Sequence, residues 1–175
     1  IVGAGTVAMR RAERLDACKA DVTLIDPKAD PADAPDGVKI VAERYRGELI
    51  DGARFVFACT SDRRVNAQVA QDARRRGALV NVADQPEDCD FYMPAVFEDA
   101  PVQICVSTGG AAPALAGMIK RRLAQDAPPH LGDFARAIES LRIETRNRYS
   151  NSEIRMSLIR QLVSWDAYEA FVKEG

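Results

Sequence analysis

The spacing of apolar residues along the chain changes period repeatedly, and each change marks a new element. Behind a glycine turn at Gly3–Gly5, the residues Val7, Ala8, Ala12, Leu15 and Cys18 recur at helical intervals and predict an amphipathic helix. Val22, Thr23, Leu24 and Ile25 predict a short strand ending at Asp26. Residues 26–37, DPKADPADAPDG, are rich in Pro and Asp and read as a surface loop. Val38–Val41 predict a further strand, and Leu49 with Ile50 a short helical or turn segment. RFVFACT, residues 54–60, is a nearly unbroken apolar run, the pattern of a central parallel strand covered on both faces. Arg63–Arg76 predict a helix with Val65, Val69 and Ala73 inward and Gly77 just past its end. ALVNVA, residues 78–83, is the next strand.

Strand and helix alternating in this way imply an α/β fold with a doubly wound parallel sheet, whose ligand crevice lies at the carboxyl ends of the strands. Ile1 and Val2 then read as the tail of a truncated first strand, with the natural chain extending upstream. Beyond residue 90 the rhythm is lost. FYMPAVF (91–97) and VQICVS (102–107) predict two strands, and a helix follows from Pro113 to Ala124. APPHLG (127–132) resembles a linker. Phe134, Ile138, Leu141 and Thr145 mark one later helix, Ile154, Leu158 and Leu162 another, and Trp165, Tyr168, Phe171 and Val172 a last one. A helical tail this small cannot hold a core alone, so it is expected to pack on the first domain or on another subunit.

Composition narrows the function classes. The 175 residues carry 24 Lys and Arg against 26 Asp and Glu, a net charge of −2, which lacks the basic footprint of a nucleic-acid binder. No apolar run approaches a membrane span and no signal peptide is present, so a cytoplasmic location is expected. Cys18, Cys59, Cys89 and Cys105 are widely spaced, form no CxxC pair and are joined by a single histidine, His130. No metal site is expected from them; buried reduced thiols are.

Four motifs carry chemistry. Gly3-Ala4-Gly5-Thr6-Val7-Ala8 fits G-x-G-x-x-G/A: Gly3 for the tight turn, Gly5 for close approach of a pyrophosphate, Ala8 for helix–strand packing. The phosphates would sit on the helix N-terminus. Asp26, at the end of the next strand, can accept the adenosine ribose hydroxyls and repel a 2′-phosphate, which favours NAD over NADP, with Lys28 nearby tempering that preference. Thr60-Ser61-Asp62 through Asn66 follows the central strand: Thr60 is expected beside the nicotinamide ribose, Ser61 or Asp62 as a helix cap, and Asn66 as a brace for the loop. Asn81-Val82-Ala83-Asp84-Gln85-Pro86 puts Asp84 at the mouth of the crevice as the acid/base candidate. Ser107-Thr108-Gly109-Gly110 at a strand-to-helix turn reads as a nest of N–H groups suited to a carboxylate or phosphate, with Lys120, Arg121 and Arg122 on the helix behind it.

Taken in order, GAGTVAMRRAERL, ACTSDRRVN, NVADQPEDCDFYMPA, VSTGGAAPALA and PPHLG resemble the precorrin-2 dehydrogenase/sirohydrochlorin ferrochelatase family, the N-terminal module of siroheme synthase. The resemblance implies a Rossmann domain over 1–90, a dimerisation segment over 91–125 and a helical C-terminal region over 126–175, in a homodimer. It implies NAD-dependent oxidation of the tetrapyrrole precorrin-2 to sirohydrochlorin, followed in some members by insertion of Fe2+ as substrate to give siroheme. Asp84 falls on the family's active-site aspartate, and Ser107, Thr108, Gly109 and Gly110 on its hydroxyl-glycine turn. Asp84 is the expected catalytic residue; Asn81, Ser107, Thr108, Gly109 and Gly110 are the expected substrate-binding residues, and Gly3, Gly5, Thr6, Val7, Asp26, Thr60 and Ser61 the expected cofactor-binding ones. The alternatives are a non-catalytic NAD-sensing module, and the front of a longer trifunctional synthase carrying a methyltransferase.

Overall fold

A computed structural model describes residues 1–174. The chain divides into two compact units, with the boundary between Tyr92 and Met93.

In the first unit the sheet is parallel. β1 (Val22–Ile25) pairs with β2 (Val38–Val41), and β3 (Phe55–Ala58) pairs with β4 (Leu79–Val82). Val2 bridges in parallel to both Ile25 and Ala58, so the Ile1–Val2 segment joins the two pairs in the order β2-β1-(Ile1–Val2)-β3-β4. Val2 N–H donates to Phe57 O at 2.8 Å, and Val2 O accepts from Cys59 N–H at 2.7 Å. The strand order therefore reverses next to Gly3, where a doubly wound sheet opens its crevice.

α1 (Thr6–Ala17) and α2 (Arg63–Arg75) cover opposite faces of this sheet. Alternation along β3 explains why: Phe57 points into the cluster that contains Ala8, Ala12 and Leu24, whereas Val56 and Ala58 point into the one that contains Val69, Ala70 and Ala73. Only alanines of α1 are fully buried, so helix and sheet approach closely. The largest fully buried side chains are Leu24, Ile25, Val2, Val56, Val69 and Val80; each contributes about 1.5–3 kcal/mol by leaving water. Asp62 caps α2 by accepting from Arg64 N–H at 2.8 Å, and Gly77 ends it at φ 74°.

The second unit opens with an antiparallel hairpin, β5 (Ala95–Asp99) and β6 (Val102–Val106). α3 (Pro113–Asp126) packs on both strands, and α4 (Leu131–Arg148) packs on β6 and on α5 (Ser152–Leu162). α6 (Trp165–Glu174) contributes Tyr168 and Phe171, whose rings meet Phe134 of α4 at 5.5 Å.

Several expectations need correction. The first strand of the hairpin begins at Ala95, not Phe91. Phe91 packs edge-on against Phe55 and Phe57, with centroids 5.5 Å away from each, and so stays with the first unit. The expected linker 127–132 already contains the start of α4. Gly132 is buried there, and its N–H donates to Asp99 Oδ2 at 2.8 Å. The central strands are not covered along their whole length: Phe55 is 57% exposed and Leu79 47% at their leading ends. Nor are the thiols buried. Cys18 and Cys105 are exposed, and Cys59 and Cys89 half-buried. Val7 and Cys18 likewise lie off the buried stripe of α1.

Candidate active site

The carboxyl ends of the parallel strands gather Gly3–Gly5, Asp26, Thr60 and Asp84. Gly3 sits at φ 105°, and an added Cβ would stand 2.7 Å from both C and O of Cys59, so the turn is pressed against the end of β3. Gly5 has an ordinary φ of −74°, and its Cβ position faces open space. As N-cap residue of α1 it offers no side-chain cap, so the first-turn N–H groups beginning at Thr6 and Val7 remain free for an anion. Open space at Gly5, free amides and a fully buried Ala8 are what a pyrophosphate-binding turn requires, so the residues present fit a dinucleotide. Beside the turn lies a cavity of about 450 Å³ lined by residues that include Ala4, Thr6, Arg10, Lys28, Asp30 and Ile40.

Asp26 does more than await a ribose. Its Oδ2 accepts from Ala4 N–H at 3.0 Å and its Oδ1 from Lys28 N–H at 2.8 Å, so the carboxylate already braces the glycine turn. Each oxygen keeps a second lone pair for a ligand hydroxyl. Thr60 is locked by Asn66, which is only 2% exposed. Asn66 Oδ1 accepts from Thr60 N–H at 3.1 Å and Thr60 Oγ1 at 2.7 Å, and its Nδ2 donates to Thr60 O at 3.0 Å. The expected brace is present, and Ser61 stands exposed between the two.

Asp84 is exposed in a turn after β4 at φ 59°, a left-handed conformation that side chains other than Gly, Asn and Asp seldom adopt. Cys89, which sequence spacing gave no reason to single out, holds this loop. Its Sγ accepts from Val82 N–H at 3.2 Å and faces the carbonyls of Val82 and Gln85 at 3.3 Å. Gln85, buried, is oriented so that its amide nitrogen donates to Asp88 Oδ2 at 3.0 Å and its oxygen accepts from Arg63 Nε at 3.2 Å. Asn81 is 5% exposed; its Nδ2 donates to Phe91 O at 2.8 Å while its Oδ1 has no partner among the described residues. Arg11 Nη1 donates to Cys59 Sγ at 3.0 Å, with its guanidinium carbon 5.2 Å from the centre of the Phe57 ring. Burial pushes the Cys59 thiol above its ordinary range, partly opposed by Arg11.

Ser107–Gly110 belongs to the second unit, where Gly109 and Gly110 adopt φ 61° and 84°. The nest is less open than expected. Ser107 Oγ accepts from Gly109 N–H at 3.2 Å, Thr108 Oγ1 from Ala112 N–H at 3.1 Å, and Thr108 O from Ala111 N–H at 3.1 Å. Turn formation itself consumes the amides of Gly109, Ala111 and Ala112. Among the described residues no group of three or more His, Cys, Asp or Glu could hold a metal ion, and no helix is long and apolar enough to cross a membrane.

Residues 1–95 match the family model described as putative NAD(P)-binding, and residues 99–125 match that of the sirohaem biosynthesis protein central region. The chain belongs to this putative NAD(P)-binding family. Among its relatives, a siroheme synthase of Thioalkalivibrio sulfidiphilus is 31% identical over 98% of this chain and 36% of that protein. A siroheme synthase of Methylococcus capsulatus is 39% identical over 83% of this chain and 32% of that protein. The chain thus spans about a third of the length of these curated relatives, 36% and 32%. The solved structure of SirC, precorrin-2 dehydrogenase, superposes with a TM-score of 0.81 at 21% identity, over 99% of this chain and 90% of that one, which establishes the Rossmann-type fold of this family member.

Proposed function

We propose that the chain oxidises precorrin-2 to sirohydrochlorin with NAD, in siroheme biosynthesis. The observation that carries this reading is Asp84: a carboxylate held at a left-handed φ of 59°, at the end of a strand beside a dinucleotide-type glycine turn. The matched sirohaem model and the names of the relatives support this substrate class.

In this reading the Gly3–Gly5 turn and the Thr6 and Val7 amides hold the pyrophosphate. Asp26 receives the ribose hydroxyls on its remaining lone pairs and disfavours a 2′-phosphate. Thr60, fixed by Asn66, and Ser61 line the nicotinamide side. Hydride acceptance is the chemistry that NAD supplies when bound. The substrate surrenders a hydride and a proton; Asp84 orients the ring system and takes the proton. Asn81 Oδ1, an acceptor without a partner among the described residues, serves the substrate's polar groups. Ser107, Thr108, Gly109 and Gly110 are proposed as substrate-binding residues in their own right, through the hydroxyls of their turn. Fe2+ is a second-step substrate, for which Asp84 would remove pyrrole protons.

We assign residues 1–90 to the NAD domain, 91–125 to dimerisation and 126–175 to a helical region, in a cytoplasmic homodimer; the exposed Leu115, Met118 and Ile119 of α3 support an apolar contact there. Asp84→Asn should lower turnover by about 10²–10⁴-fold with NAD affinity kept. An Asp84→Asn protein that oxidises precorrin-2 at the wild-type rate would remove Asp84 from the reaction.

A further inference from the structure

Arg11 stands within the GAGTVAMRRAERL stretch but has been given no role, and its surroundings demand a partner. It projects from α1, half-buried, and its guanidinium lies over the Phe57 ring with Nη1 on Cys59 Sγ. Among the described residues no carboxylate forms an ion pair with it and Cys59 is its sole hydrogen-bond partner, so most of its five N–H donors are unused. Neither neighbour balances the charge. Phe57 attracts a cation without neutralising it. Cys59, its thiol raised by burial, is uncharged at neutral pH. A partly desolvated cation left so is unfavourable unless an anion joins it.

Its position says which kind. Cys59 follows β3 with its carbonyl pressed against Gly3, and β3 pairs with β4, whose carboxyl end leads to Asp84, so Arg11 shares the neighbourhood of the glycine turn and of the strand end that carries Asp84. Stacking on Phe57 fixes the plane of the guanidinium, and a fixed fork suits a planar oxyanion in bidentate contact. Two oxyanions could reach it, a cofactor phosphate and a carboxylate of the substrate. Arg11 is five residues beyond Thr6, about 7–8 Å down the helix axis, whereas phosphate contacts rest on the first turn. We infer that Arg11 binds a carboxylate side chain of the tetrapyrrole and so helps select a polycarboxylate substrate; this rests on the reading of the site as a precorrin-2 dehydrogenase.

The test compares wild type, Arg11→Lys and Arg11→Met. It measures kcat and KM for precorrin-2, Kd for NAD, Kd for sirohydrochlorin by absorbance titration, and the melting midpoint. Arg11→Met should raise KM and the sirohydrochlorin Kd by about tenfold or more, the worth of a charge-assisted hydrogen bond, with kcat and NAD Kd within about twofold of wild type. Arg11→Lys, which keeps the charge and loses the fork, should fall between and keeps the test valid if the Met variant folds poorly. A raised NAD Kd with unchanged KM would overturn the assignment to substrate in favour of a cofactor phosphate. Unchanged KM, sirohydrochlorin Kd and NAD Kd would overturn the inference entirely. A wild-type protein that binds sirohydrochlorin without oxidising precorrin-2 would instead defeat the proposed reaction, and the titration would still decide the role of Arg11.

Discussion

The two glycines of the turn should fail in opposite ways, and comparing Gly3→Ala with Gly5→Ala separates folding from binding. At Gly3 a methyl group would meet the Cys59 carbonyl at 2.7 Å, on a backbone at φ 105°. Strain at such a φ costs about 1–3 kcal/mol and the clash about 1–3 kcal/mol more, so the loss is about 2–6 kcal/mol. At about 2–4 °C per kcal/mol for a chain of this size, the melting midpoint should fall by roughly 5–20 °C. At Gly5 no atom lies within 4 Å of the Cβ position and φ is −74°, so alanine is accommodated. Folding should gain about 0.4–1 kcal/mol from the stiffer unfolded chain. The same methyl would stand where a pyrophosphate must approach, and a loss of about 1.4 kcal/mol there is tenfold in affinity. Differential scanning calorimetry and NAD titration of both variants give the readout. A Gly5→Ala protein that binds NAD as tightly as wild type, or a Gly3→Ala protein that melts like wild type, would refute this account of the turn.

Asn66→Ala removes three hydrogen bonds to Thr60 and strands its N–H, so denaturant unfolding should show a loss of about 2–4 kcal/mol; a loss under about 0.5 kcal/mol would contradict the brace. Cys59 should be alkylated by iodoacetamide later than the exposed Cys18 and Cys105, with a pH midpoint above the 9.0 of a free thiol, as followed by peptide mass spectrometry. Because the folded state holds that proton more tightly, the stability it confers is present below pH 9.0 and is lost as pH rises past it.

The sequence was most legible where one physical rule acts alone. Alternation and helical spacing located β1 to β4, α1 and α2 within a residue or two, since each buries a face whose period is printed in the chain. The glycine turn was legible because close approach excludes a side chain at Gly3. What escaped depended on contacts distant in sequence. Phe91 leaves the hairpin because Phe55 and Phe57 wait for its ring, and Gly132 starts α4 because Asp99 receives its amide. The hydroxyls of Ser107 and Thr108 spend themselves on their own turn, an outcome local composition does not distinguish from an open nest. The partners of Arg11, Phe57 and Cys59, are more than forty residues away, so no spacing could single it out.

Oxidation of precorrin-2 by this chain is read out by mixing the wild-type protein anaerobically with precorrin-2 and NAD and following NADH and sirohydrochlorin absorbance together. Both should appear at equal rates and in equal amounts. NAD binding without formation of NADH would contradict this and would favour a module that senses the cofactor and does not use it.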